Sequence, residues 1–184
     1  MLRNRYTILG KNSKPEIFIL DVDGVLSTGH FIYSKDGKIL KIFGPDDNDG
    51  LSLLKPYLNI LFVTGDKKGF EISKKRIVED MGYELHLVST IKRISWIKER
   101  FHVKKVIYMG DGIFDHYVMR EVLYSISTSN SDPEAKACAS YITQRKGGER
   151  AVAEACLHLL SKFFDPYDPN YLPNKQKDFS EWAI

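Results

Sequence analysis

Three short, largely apolar runs, Ile17–Leu20, Asn59–Val63 and Lys105–Met109, each lead straight into residues that can do chemistry. The first passes into Asp21-Val22-Asp23-Gly24, the second into Thr64-Gly65-Asp66 and the third into Gly110-Asp111-Gly112. Runs of this length next to glycine read as buried strands, and amphipathic stretches separate them. A chain that alternates buried strands with helices is predicted to wind into a mostly parallel, doubly wound α/β sheet. In such a sheet ligands bind beyond the carboxyl ends of the strands, where these polar residues stand. Taken alone, Asp21 and Asp23 have two readings, a solvated turn at a strand end or an Mg²⁺ site. A carboxylate taken out of water is costly unless paired or bound to metal, and hard oxygen ligands suit Mg²⁺.

The rest of the chain fits this frame. HFIYS and KILKIF, joined through Lys35-Asp36-Gly37, predict a β-hairpin at about residues 30–43. A polar loop then becomes a short helix that leaves at Pro56. A helix over Lys68–Met81 is stopped by Gly82, and Tyr83–Val88 is a weaker strand. Ser89-Thr90 can cap a helix reaching Phe101. Beyond Gly112 come a helix through Met119, a strand at Leu123–Ser127, and a helix opened by Asp132-Pro133. Tyr141–Thr143 is a short last strand, and Gly147-Gly148 precede a helix over Glu149–Phe164.

With 184 residues, 43% of them apolar, the chain can fill one real core, so residues 1–164 are expected to form a single domain and 165–184 a C-terminal tail. A net charge of +3 argues against a nucleic-acid partner, and the basic run Lys67, Lys68, Lys74, Lys75 and Arg76 reads as a solvated helix face. Cys138 and Cys156 have no metal-ligand spacing and suit a reduced, cytoplasmic protein. No apolar run is long enough for a signal peptide or a membrane span.

On these motifs the chain resembles the haloacid dehalogenase (HAD) superfamily of phosphatases: DVDGV looks like motif I, VTG like motif II and GDGIFD like motif IV. Over about Ile17 to Phe164 it resembles more narrowly the 3-deoxy-D-manno-octulosonate (KDO) 8-phosphate phosphatases and the related domain of sialic-acid cytidylyltransferases. In that family LDVDGVL is followed by a hairpin and F-x3-D-x2-G-I/L, here Phe43, Asp47, Gly50 and Leu51. A GGxxA segment matches as Gly147, Gly148 and Ala151. The resemblance implies an Mg²⁺-dependent phosphomonoesterase that passes through an aspartyl phosphate. Asp21 suits the nucleophile, and Asp23 the general acid that then activates water. Asp21, the backbone carbonyl of Asp23 and Asp111 would hold the metal. Thr64 and Gly65 would bind the phosphate, with Lys92, or its neighbour Arg93, as the basic residue. Asp115 is expected to orient the site or cap the next helix, and Asp47 to support it.

Three departures bear on the substrate. TGD stands where these phosphatases usually have TGR, so Asp66 reverses a charge. GGERAVAE replaces a GGRGAVRE-like segment, which leaves Glu149, Arg150 and Ala153 in altered positions and lets Arg150 stand in from one place away. GDG replaces GDD at Gly112. Only 42 residues lie between Asp21 and Thr64, and 46 between Thr64 and Asp111, which leaves no room for a cap domain. The resemblance implies a homotetramer assembled through the hairpins, with Ile32, Tyr33, Ile39 and Ile42 at the interface and each site closed by a neighbour. The tail carries Tyr167, Tyr171, Phe179 and Trp182, and in the family the C-terminal end can reach an adjacent site. The expected substrate is a small phosphorylated sugar acid such as KDO 8-phosphate, or a sialic-acid 9-phosphate. A receiver-like domain or an inactive oligomerisation module is the rival class, but the DxDG order with a distant GDxxxD fits a hydrolase better.

Overall fold

Strand β1 (Ile17–Asp21) is buried along its whole length and lies at the centre of a six-stranded parallel sheet. The computed structural model describes residues 14–171. On one side of β1 stand β4 (Asn59–Thr64) and β5 (Glu84–Leu87); on the other stand β6 (Val106–Gly110), β7 (Tyr124–Ser127) and β8 (Tyr141–Ile142). All the pairings are parallel, and β1 is in register with Asn59–Val63 and with Val106–Met109. This is the doubly wound sheet expected, with its strand order diverging at β1.

Side chains alternate across β1 and so feed two separate cores. Phe18 and Leu20 pack with Leu51 and Leu54 of α1 (Asp47–Leu54) and with Val152, Ala155 and Leu159 of α6 (Ala151–Phe163). Ile17 and Ile19 pack on the other face with Ile97 of α3 (Arg93–Arg100), Val118 and Met119 of α4 (His116–Met119) and Ala135 of α5 (Pro133–Cys138). Each such side chain withdrawn from water contributes about 1.5–3 kcal/mol, so β1 is anchored from both faces.

Two expected helices are shorter or less regular than their apolar periodicity implies. The stretch over 68–81 is α2 (Phe70–Lys74) followed by a wider π-helical turn at Lys75–Asp80, and Gly82 ends it with φ +72°. The helix after Ser89 opens with a tight turn at Thr90–Lys92, and only then does α3 begin. The hairpin comprises β2 (Ser27–Ser34) and β3 (Gly37–Phe43), outside the main sheet. Ile32 pairs with Leu40 and Tyr33 with Lys38, so Ile39 is an extra residue in β3, a β-bulge. Among the described residues, no helix is long and apolar enough to cross a membrane. Asp165–Tyr171 of the tail are exposed; Phe179 and Trp182 lie outside the described residues, as do residues 1–13.

Candidate active site

The carboxyl ends of β1, β4 and β6 lie side by side, and they bring Asp21, Asp23, Thr64 and Asp111 together. Carboxylate oxygens of Asp21, Asp111 and Asp115 lie within 4.8 Å of one another. Two glycine positions make this closeness possible. A Cβ on Gly24, which has φ +87°, would overlap the Asp111 carboxylate, and one on Gly147 would overlap the Gly24 carbonyl oxygen. The Gly147-Gly148 loop braces the turn after β1, since Gly148 N–H donates to the Val25 carbonyl at 3.0 Å.

Beneath the carboxylates lies Arg93, fully buried at the start of α3. Its guanidinium donates to Asp21 Oδ2 at 2.8 Å, Asp21 Oδ1 at 3.3 Å, Asp115 Oδ1 at 3.0 Å and the Tyr108 hydroxyl at 2.6 Å. Of the two basic residues expected as alternatives at the phosphate, the structure brings Arg93 to the carboxylates and leaves Lys92 exposed. The cause is local. The tight turn at Thr90–Lys92 precedes α3, and from its start Arg93 and Ile97, one helical turn apart, share the inward face. Asp115 is fully engaged. Its Oδ2 accepts from the Asp111 and Gly112 N–H groups at 2.9 Å each, and its Oδ1 accepts from Arg93 and from Tyr108 at 2.5 Å. It orients the Asp111 loop, and its side chain does not cap α4.

Burial pushes Asp21 up to about 6, with Arg93 pulling the other way. Asp111 is pushed up to about 8, first by burial and then by the negative charge of Asp21 and Asp115. Three clustered carboxylates therefore share a single guanidinium, and Asp115 has no oxygen to spare. Asp21 and Asp111 remain as hard oxygen donors in a site short of positive charge, a donor set that fits a divalent cation such as Mg²⁺.

Asp23 faces a different group of neighbours. Thr64 Oγ donates to its Oδ2 at 3.2 Å and itself accepts from the Asp66 N–H at 3.1 Å. Lys41 of β3 approaches Asp23 Oδ1 to 2.8 Å and Oδ2 to 3.0 Å. Asp66 pairs with Lys38 and, at 2.9 Å, with Lys41. Burial opposes ionisation of Asp66, but the hydrogen bonds from Lys38, Lys41 and the Gly69 N–H outweigh it and bring the carboxyl down to about 2. The charge that Asp66 reverses is thus balanced from within the chain. Gly65 leaves its backbone exposed at the end of β4, open to a ligand.

Asp47 stands apart from the carboxylate cluster and caps α6 instead, with its Oδ1 accepting from the Ala153 N–H at 2.9 Å. Arg150 pairs with Asp46 at 2.5 Å. Sequence reasoning missed Tyr108, Lys38 and Lys41. The alternation of β3 puts positions 38 and 41 on opposite faces, and only the bulge at Ile39 brings the two lysines to one side.

No protein-family model matches the chain. Over 163 residues, 83% of each chain, it is 31% identical to the 3-deoxy-D-manno-octulosonate 8-phosphate phosphatase KdsC of Escherichia coli K12. The crystal structure of the same-named phosphatase from Moraxella catarrhalis, in complex with magnesium, phosphate and KDO, superposes with a TM-score of 0.68 at 27% identity, over 81% of this chain and 87% of that one. A HAD-superfamily (subfamily III A) hydrolase from Legionella pneumophila superposes with a TM-score of 0.72 at 28% identity, over 81% and 84% of the two chains. Strand-end aspartates on this sheet, and likeness along most of the length of these proteins, place the chain: it belongs to the KDO 8-phosphate phosphatase (KdsC) family of HAD-superfamily hydrolases.

Proposed function

We propose that the chain is an Mg²⁺-dependent phosphomonoesterase that hydrolyses a small phosphorylated sugar acid of the KDO 8-phosphate kind through an aspartyl phosphate on Asp21. The observation that carries this reading is the division of labour between two carboxylates two residues apart. Asp21 is fixed by Arg93 and faces Asp111, whereas Asp23 faces Thr64 and Lys41. An in-line displacement needs a nucleophile on one side of the phosphorus and a proton source on the other. Asp21 attacks the phosphorus, and Asp23 gives its proton to the leaving oxygen. Asp23 then takes a proton from the water that hydrolyses the acyl phosphate. The Thr64 hydroxyl and the Gly65 N–H receive the phosphate oxygens, and Arg93 holds Asp21 in the attacking orientation. Asp21, Asp111 and the Asp23 backbone carbonyl would hold Mg²⁺, which supplies positive charge against the nucleophile and the phosphoryl group.

A phosphorylated sugar acid is favoured because two of the proteins named above, from Escherichia coli and Moraxella catarrhalis, are named as phosphatases of KDO 8-phosphate, and the second was crystallised with KDO. A homotetramer built through the hairpins is part of the same reading. Phe31, Ile32, Tyr33, Ile39, Leu40 and Ile42 are each more than two-fifths exposed, and large apolar side chains exposed together on one hairpin suit an interface. The free thiols of Cys138 and Cys156 suit a reducing compartment such as the cytoplasm.

The test is phosphate release from p-nitrophenyl phosphate and from a panel of sugar phosphates, including KDO 8-phosphate and a sialic-acid 9-phosphate, with and without Mg²⁺. Turnover that requires Mg²⁺ and disappears in Asp21→Asn is expected. No turnover of any substrate by the pure wild-type protein refutes the proposal. Preference for the sialic-acid ester keeps the reaction and changes the substrate.

A further inference from the structure

Lys41 is the least expected residue of the site: a lysine from an exposed hairpin whose side chain is fully buried. Its ammonium lies 2.8 and 3.0 Å from the two oxygens of Asp23, 2.9 Å from Asp66 Oδ2 and 2.8 Å from Ser73 Oγ. An ammonium has three donors, and Asp23, Asp66 and Ser73 take all three. The space it occupies is kept open by Gly69, where a Cβ would collide with Asp66 Oδ2 and come within 2.7 Å of Lys41 Cε and 2.9 Å of Lys38 Cδ. Asp66 ties the arrangement to the hairpin through Lys38, whose ammonium lies 3.3 Å from the centroid of the Phe31 ring. A buried ammonium with every hydrogen bond satisfied is set in one place, and what it holds is Asp23.

We propose that Lys41 is a positioning residue that acts on the substrate through Asp23, and that Asp66 and Ser73 fix it there. The proposal rests on the phosphatase reading above. As Asp21 forms its bond to phosphorus, the bond from phosphorus to the leaving oxygen breaks and its electron pair passes to that oxygen. The oxygen takes the proton from Asp23, whose O–H electron pair remains on the carboxylate. Negative charge therefore develops on Asp23, directly against the Lys41 ammonium. Held by Lys41, the carboxyl group does not have to find its orientation during the reaction, even when the Thr64 hydroxyl turns to the phosphate. The contribution of Lys41 must then scale with how much the leaving group needs a proton. A sugar alkoxide needs one; p-nitrophenolate, a weak base, leaves without it.

This dependence on the leaving group separates positioning of the acid from a general structural role. The value to measure is kcat/KM, which covers the steps up to release of the leaving group, for p-nitrophenyl phosphate and for the best sugar phosphate of the panel. Lys41→Met is expected to lose about 100-fold or more on the sugar phosphate, the lower end of what a positioned acid supplies, and less than about tenfold on p-nitrophenyl phosphate. Lys41→Arg, which keeps the cation, should recover most of the loss. Asp66→Asn keeps the lysine and loosens its hold, so a smaller loss with the same bias is expected. That variant carries the comparison if Lys41→Met does not fold in circular dichroism and thermal melting. Equal losses on both substrates, or no loss on either, overturn the proposal while leaving the phosphatase reading intact. Wild-type protein inactive on both overturns that reading, and this proposal with it.

Discussion

Arg93 is the single charge on which the buried carboxylates depend. Removing one partner of a buried ion pair leaves the others uncompensated, at a cost of about 3–5 kcal/mol. Arg93→Met is therefore expected to lower stability by that order in urea denaturation, and to abolish turnover because Asp21 loses its hold. Asp47 makes a different point. It is buried with one oxygen paired to α6 and the other, Oδ2, without a partner, and burial pushes it up to about 6 from 3.8. Because the folded state binds this proton more tightly than the unfolded chain, the stability it contributes is complete below about pH 4. It is lost as the pH rises to about 6. Asp47→Asn keeps an acceptor for Ala153 and removes the titration. Its stability relative to wild type should therefore rise by up to about 3 kcal/mol between pH 4 and pH 7 in parallel denaturation curves, from a shift of about two pH units. A difference that stays flat across that range refutes the account of Asp47.

The element that carries most of what distinguishes this chain is the hairpin. A regular β3 would send Lys38 and Lys41 to opposite faces; the extra residue at Ile39 turns both toward Asp66 and Asp23 while Ile39, Leu40 and Ile42 remain exposed. Inserting one alanine between Ile32 and Tyr33 gives Ile39 a cross-strand partner, removes the bulge and should send the two lysines to opposite faces, expelling one from the site. The expected result is a fall in kcat/KM for sugar phosphates with the melting temperature of the domain little changed, since the hairpin lies outside the main sheet. An insertion variant with wild-type activity removes the bulge from the explanation.

At the scale of the molecule, the described residues insert no cap domain between the strands that carry the site, and the hairpin exposes apolar side chains. On the reading proposed above, the site is closed by the hairpin lysines and by whatever packs on the hairpin. Charge on that face should prevent assembly. Ile32→Glu with Ile42→Glu, which share the face turned away from Lys41, is expected to turn a tetramer into monomers in light scattering after gel filtration, with circular dichroism preserved. A wild-type protein already monomeric at micromolar concentration refutes assembly through the hairpin.

Much of this protein follows from local sequence. The apolar runs before Asp21, Thr64 and Asp111 suffice to make parallel strands, because burial on both faces demands continuous apolar residues and glycine marks where each must turn. Asp21 and Asp23, proposed above as nucleophile and acid, stand out in the sequence for the same reason. The surroundings of the two aspartates were decided only in three dimensions. Whether Lys92 or Arg93 enters the core depends on the phase that the tight turn at Thr90–Lys92 gives to the start of α3. Whether Lys41 is solvated or buried depends on one extra residue in a strand and on the missing Cβ of Gly69. Periodicity reads which side of an element is apolar. A one-residue shift of phase reverses which charged side chain faces inward, and only the packing of neighbouring elements fixes that phase.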